Sequence, residues 1–150
     1  MTGSVWTIAE EELTSADATS LIAELNEFLD GLYPPEDNFF SLPSADCFLI
    51  ARDEGGLAVA CGALRVHDGF GEIKRMWVRP HARRNGLARR MLNRLEEHAR
   101  SLGVSELRLE TGNRQPDAIS LYVSSGWTEI PLFGEYVTSG TSVCYAKRLD

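Results

Sequence analysis

The stretch "RPHARRNGLARRMLNRLEEHAR", Arg79–Arg100, decides how the rest of the chain is read. The 150 residues carry 22 acidic side chains against 15 lysines and arginines, a formal charge of −7. Seven of those 15 basic residues fall inside this one stretch. From about 86 to 102, Leu87, Met91, Leu95, Ala99 and Leu102 recur at helical spacing, and Gly103 follows as a stop signal. The helix therefore opens at the Asn85-Gly86 pair, directly behind Arg83 and Arg84. A helix N-terminus presents backbone N–H groups that lack intrahelical partners, together with the positive end of the dipole. Gly86 lets an anion approach the backbone, Ala88 keeps the first turn small, and Arg83, Arg84 and Arg89 add fixed positive charge. Together these residues make a cradle for a pyrophosphate. Arg94 and Arg100 are read instead as solvent-facing partners of Glu96 and Glu97.

Outward from that helix the chain alternates. "GEIKRMWVRP" (71–80) reads as a strand running straight into the cradle. "CFLIAR" (47–52) and "LAVACGALRV" (57–66) precede it, with turns at Glu54-Gly55-Gly56 and Asp68-Gly69, so the three form an antiparallel meander. Near the start, "SVWTIA" (4–9) reads as a strand, and Ser15 offers an N-cap to a helix with Leu21, Leu25, Phe28, Leu29 and Leu32 on one face. Tyr33-Pro34-Pro35 stops that helix. After the arginine helix come a strand at 105–111, a helix at 116–126 with Pro at its start and Gly at its end, and two closing strands, "WTEIP" and "TSVCYAKRL". A strand, a long helix and a strand make a crossover unit with parallel neighbours. The expected architecture is α/β: one domain over 1–150, with a mixed, mostly antiparallel seven-stranded sheet and flanking helices.

Several classes are disfavoured by composition. A pI near 5.0 opposes a nucleic-acid footprint, and no aromatic platform lies near the arginines. No apolar run reaches the ~18 residues of a membrane span, and no signal peptide is visible, so a cytoplasmic location is expected. Cys47, Cys61 and Cys144 are odd in number, widely spaced and set among apolar residues, as buried hydrophobes are. His67, His81 and His98 show no metal-ligand spacing and are read as surface residues; no metal is expected. The cradle has neither Gly-Lys-Ser/Thr nor G-x-G-x-x-G, so the common nucleotide loops do not describe it.

Arg83-Arg84-Asn85-Gly86-Leu87-Ala88 resembles the R/Q-x-x-G-x-G/A signature of the GCN5-related N-acetyltransferases, with Ala88 in place of the commoner Gly. "LETGNRQPDAISLYVSSGW" (109–127) is similar to that family's second half, with Asn113, Ala118, Leu121, Tyr122, Gly126 and Trp127 at matching places. There is one residue more between Asn and Ala. The resemblance covers residues 45–150 well and 1–44 in outline. It implies a sheet splayed between its fourth and fifth strands with acetyl-CoA in the gap. The pantetheine would lie along Met76, Trp77 and Val78. The pyrophosphate would sit on the N–H groups of Arg84, Asn85, Gly86, Leu87, Ala88 and Arg89, with the Arg83 and Arg84 side chains added. Asn113 and Tyr122 would approach from the other side.

The resemblance further implies that the Tyr122 hydroxyl protonates the leaving thiolate. Two carboxylates, Glu110 and Glu72, are open alternatives for taking a proton from the attacking amine. The acceptor segments are expected in "LYPPEDNFF" (32–40) and "PLFGEY" (131–136), with Tyr33, Glu36, Asp37, Phe39 and Tyr136 as contacts. Glu36 and Asp37 would favour acceptors with a second positive charge, whereas Lys74 and Arg75 would hold a substrate carboxylate. The leading expectation is an acetyl-CoA-dependent N-acetyltransferase acting on a small-molecule amine, without nucleic-acid or membrane partners and with a homodimer left open. The alternatives are a protein lysine or N-terminal acetyltransferase and a non-catalytic acyl-CoA-binding sensor.

Overall fold

Ser15 sets the first helix: its hydroxyl accepts the Ala18 N–H at 3.1 Å, and α1 runs Ala16–Asp30. The computed structural model describes residues 5–37 and 42–150. Around α1 stand β1 (Thr7–Glu10), β2 (Cys47–Arg52), β3 (Ala58–His67) and β4 (Phe70–Val78). Then follow α2 (Leu87–Ser101), β5 (Glu106–Gly112), α3 (Pro116–Ser124), β6 (Thr128–Ile130) and β7 (Ser142–Arg148). The strands form one sheet in the order β1-β2-β3-β4-β5-β7-β6. Every neighbouring pair is antiparallel except β4 and β5, which are parallel and joined across α2.

Helices cover both faces, and this explains why β2 reads as a continuous apolar run. On one face α1 packs Ala18, Leu21 and Leu25 against Phe48, Ile50, Cys61 and Ala63. On the other, α2 lays Leu87, Met91, Leu95 and Ala99 over Leu49, Val59, Leu64, Leu107 and Leu109. Each buried leucine contributes about 1.5–3 kcal/mol relative to exposure. The helical stripes end sooner than the periodicity suggests: Leu102 is 49% exposed, and Phe28 is 40% exposed although its ring lies 5.3 Å from that of Trp77. Glu96 is not on the solvent face either. It is buried, and its carboxylate meets Lys147 Nζ at 3.1 Å. β4 stops at Val78, two residues short of expectation, because Pro80 opens a 3₁₀ turn over Pro80–Ala82.

Two local features position the site. The β3–β4 register places Cys61 opposite Trp77 and Ala63 opposite Lys74. Arg75 and Met76 therefore stand against Gly62 alone, a bulge in which Arg75 takes a φ of 56°. A Cβ on Gly62 would come within 2.5 Å of Met76 Sδ, so the Met76 side chain would have to shift to admit one. The second feature is the opening of the sheet. β5 pairs with β4 only from Gly71 to Ile73, and the strands then diverge. Tyr33 packs its phenol against Gly112 at the end of β5 and accepts the Arg114 N–H at 2.9 Å.

A Cβ on Gly112 would overlap that phenol. Gly112→Ala should therefore cost about 1–3 kcal/mol, as overpacking does, and lower the urea midpoint. In a Tyr33→Leu background the same change should cost clearly less, because the two residues share one contact. Equal costs in both backgrounds would show that Tyr33 does not fill the opening.

Candidate active site

The opening between β4 and β5 leads into two adjoining cavities. The larger, about 510 Å³, is walled by Met76, Trp77 and Val78 on one side and by the α2 N-terminus with Arg83, Arg84 and Arg89 on the other. Gly86, at φ 77°, forms the N-cap of α2, and a Cβ there would meet nothing within 4 Å. Arg84 is also left-handed, at φ 66°. The Gly86 carbonyl accepts from Arg90, the first intrahelical bond, so the N–H groups before it point out of the helix end. The Arg83 guanidinium lies 4.9 Å over the Trp77 ring and donates through Nε to the Val78 carbonyl at 2.8 Å. Arg89 donates to Ser125 Oγ at 2.8 Å and Ser124 Oγ at 3.0 Å, which fastens α2 to the end of α3. Helix-end amides beside three guanidinium groups suit a pyrophosphate. The β4 edge beyond Ile73, without a β5 partner, suits a ligand bearing amides.

The smaller cavity, about 120 Å³, is lined by Tyr33, Lys74, Arg75, Glu110, Gln115 and Tyr136 among others. Ile73, Lys74, Arg75 and Met76, the residues at and just before the bulge, all line this chamber. The two cavities share Met76, Gln115, Ala118 and Tyr122. Tyr122 is buried, with Trp127 and Tyr145 rings 6.1 and 6.4 Å away. Burial, then the charge of Glu110, pushes its hydroxyl well above the usual phenol range. Burial likewise raises Glu110, even though the Ser142 hydroxyl donates to its carboxylate at 2.6 Å. Such a carboxyl group is the more basic of its kind, and the raised phenol holds its proton.

Glu72 is placed differently. It is not among the chamber's lining residues but sits behind Tyr136, whose hydroxyl donates to Oε2 at 2.6 Å. The other oxygen meets His67 Nε2 at 2.8 Å, and Lys74 Nζ lies 3.8 Å from the carboxylate. Lys74 also donates to Glu135 at 3.2 Å. Among the described residues, Asn85 and Asn113 line neither cavity. Both are exposed: Asn85 Nδ2 bonds the Arg83 carbonyl, and the Asn113 N–H donates to Thr141. Glu36 is exposed on the Pro35–Asp37 turn, away from the lining. The Asp37 side chain and Phe39 lie outside the described residues. Gln115, Thr111 and Thr141 escaped the sequence reading, since Gln115 and Thr141 sit in irregular segments and Thr111 is one polar residue near the end of β5. His67 reaches the site through a cross-strand contact that linear spacing hides. Spacing likewise hid the approach of Glu10, Cys47 and His98, whose ligand atoms lie within 4.8 Å of one another. Burial and Glu10 push the Cys47 thiol up to about 12, so it holds its proton.

The mixed sheet thus opens at its parallel pair onto an arginine-walled cavity and a polar chamber, with the buried Tyr122 among the residues they share. The model of the acetyltransferase (GNAT) family matches residues 7–127, and the chain belongs to that family. It is 40% identical over 150 residues to an IAA acetyltransferase of Azospirillum brasilense, across 95% of this chain and 97% of the relative. It is 30% identical to YsnE, an uncharacterised N-acetyltransferase of Bacillus subtilis, across 93% and 97%. A solved structure from Klebsiella pneumoniae, provisionally named an acyl-CoA N-acyltransferase, superposes with a TM-score of 0.85 at 34% identity, covering 97% of this chain and 99% of that one. Among the described residues no helix is long and apolar enough to cross a membrane.

The raised Glu110 carboxyl makes a signed prediction. Folding favours its neutral form, so its contribution to stability is intact below the ordinary carboxylate pKa and is lost as pH rises through the raised value. Glu110→Gln, which keeps an acceptor for Ser142, should make the protein more stable than wild type at neutral pH and equal to it at low pH. Urea unfolding across pH checks this, and parallel pH profiles for the two proteins would contradict it.

Proposed function

We propose that the chain transfers the acetyl group of acetyl-CoA directly to the primary amine of a small acceptor within a ternary complex. One observation carries this reading: a large arginine-walled cleft and a small polar chamber meet at Tyr122. The donor is acetyl-CoA, which supplies an acetyl thioester. In this reading Arg83, Arg84, Arg89 and the α2 amides hold the pyrophosphate, and the open edge of Met76–Val78 aligns the pantetheine. A backbone N–H of that edge polarises the thioester carbonyl. Deprotonating a primary amine at neutral pH costs roughly 4 kcal/mol, about 3 units below its pKa. Glu110, on the chamber wall, takes a proton from the amine as it attacks. Tyr122 protonates the departing thiolate, and the proton gained by Glu110 restores it.

Glu110 is preferred over Glu72 because both Glu72 oxygens already have partners. A chamber of about 120 Å³ favours a small molecule over a protein side chain, and the relative named for IAA supports a small-molecule acceptor. Residues 1–150 are read as one acetyltransferase domain acting in the cytoplasm.

Three variants test the assignment. Gly86→Ala and Gly86→Glu share the strain of a side chain at positive φ, about 1–2 kcal/mol, but only the second adds negative charge. Calorimetry should show acetyl-CoA affinity at least tenfold weaker for Glu than for Ala, about 1.4 kcal/mol. Equal affinities would remove the pyrophosphate from this loop. Tyr122→Phe keeps the ring packing and should slow thiol release from acetyl-CoA by roughly 10²-fold, as loss of a general acid does, with donor binding unchanged. Full turnover would return Tyr122 to the core.

A further inference from the structure

A carboxylate, a thiol and an imidazole meet at the end of α2 opposite the cradle. Glu10 closes β1, Cys47 opens β2, and His98 stands in the last turn of α2. Local geometry turns all three to one place. Ile8 packs on the core cluster beneath α2, and strand alternation brings Glu10, two residues on, to that same face. Cys47 belongs to the same cluster and is 2% exposed. His98 follows the core residue Leu95 by three positions, so its ring lies beside the buried stripe of α2. One carboxylate oxygen, one sulfur and one ring nitrogen consequently lie within 4.8 Å of one another. Glu10, Cys47 and His98 lie outside the lining of both cavities of the candidate active site. At about 1.5 Å per residue, His98 is roughly 16 Å along the helix from Leu87.

We propose that Glu10, Cys47 and His98 form a binding site for a zinc-class divalent cation, which ties the C-terminal end of α2 to β1 and β2. The site is separate from the acetyl-transfer machinery and does not depend on it. Thiolate, imidazole and carboxylate together make a donor set for zinc, whereas magnesium and calcium take oxygen ligands. Bonds of about 2.3 Å to sulfur and about 2.0–2.2 Å to nitrogen and oxygen put tetrahedral ligand atoms roughly 3.5 Å apart. Rotation of the exposed Glu10 side chain and of the half-buried His98 ring closes the cluster to that spacing. Three protein ligands leave the fourth position to water, which enters from the Glu10 side. The Cys47 thiol hydrogen-bonds the Glu10 carboxylate. On coordination the S–H bond breaks, a sulfur–metal bond forms and the proton leaves to water. The ion takes the place of the proton between the two groups, and nothing is oxidised or reduced.

Charge balance suits a dication. The thiolate and the carboxylate match its two charges and the imidazole adds none, so the buried side of the site carries no net charge. The acidic residues next in the chain are engaged elsewhere: Glu11 pairs with Arg52 at 2.7 Å, and Asp46 accepts the Val66 N–H at 2.7 Å. Arg94, one turn before His98 on α2, is close enough for its positive charge to act on Cys47. It is exposed, so water screens it and it can swing away from an incoming cation. The three ligands come from three elements and are far apart in an unfolded chain. The ion therefore binds the folded protein and stabilises it.

The test titrates the full, tag-free, reduced chain, first treated with a chelator, with Co²⁺ as the spectroscopic stand-in for Zn²⁺. One equivalent should produce the near-ultraviolet sulfur-to-cobalt absorption band. Zn²⁺ should bleach that band, and a large excess of Mg²⁺ should not. Cys47→Ser should abolish it. His98→Ala should weaken binding by at least about tenfold, the lower end even for loss of an outer partner. Arg94→Gln, which removes a positive neighbour, should tighten binding by about twofold or more. Zn²⁺ should raise the melting temperature of wild type and leave that of His98→Ala unmoved. Arg94 is exposed and His98 half-buried, so these two variants decide the matter should Cys47→Ser fail to fold. No band in wild type would overturn the site, and so would a band that survives Cys47→Ser, which would move the metal to Cys61 or Cys144. Affinity unchanged in His98→Ala, or no tighter in Arg94→Gln, would overturn it equally and leave Cys47 a buried hydrophobe.

Discussion

Three residue pairs hold β4 to β5, and beyond Ile73 and Leu109 the strands have no hold on each other. Backbone N–H and C=O groups withdrawn from water need partners. A sheet that opens in its middle therefore creates a demand that only an inserted group, water or ligand can meet. The bulge at Arg75 and Met76 lies on the same stretch of β4 and re-aims its side chains. Tyr33 occupies the far end of the opening against Gly112. The cradle, the chamber and the tyrosine between them are all arranged along the line where pairing stops.

Charge follows the same division. The arginines sit at exposed positions around the α2 N-terminus, where water screens them until an anion arrives. The carboxylates Glu72 and Glu110 sit on the two strands that flank the opening, β4 and β5, and Glu72 meets Lys74, His67 and Tyr136. An acidic protein thus keeps one strongly basic corner at the larger cavity, while the adjoining chamber sets Glu110 beside Lys74 and Arg75.

Much of this was legible in the residues themselves. The α2 stripe, the Gly86 start, the Ser15 cap and the limits of β2 follow from local chemistry, and the structure reproduces them closely. The parallel β4–β5 pair followed from a strand, a long helix and a strand in succession. Side-chain partners across the sheet were less accessible. Nothing in the order of residues 67 to 72 says that His67 turns toward Glu72, or that Tyr136, 64 positions away, closes over it. Glu96 looked like an ordinary surface carboxylate because its partner, Lys147, lies 51 positions on. Helical stripes also overstate burial at their ends, as Leu102 and Phe28 show, because periodicity knows the face of a helix and not where the sheet beneath it stops.

The strand lengths have a consequence for how copies of the molecule meet. Exposed sheet edges are templates for pairing with another chain. The outer strands here, β1 and β6, have only four and three residues, and each carries a glutamate, Glu10 and Glu129. The long edge without a strand partner, from Lys74 to Val78, faces inward between two helices and is not presented to a neighbour. A fold that leaves its sheet open for chemistry thereby offers little edge for fibre-like growth, and with a net charge of −7 its copies repel one another in dilute salt.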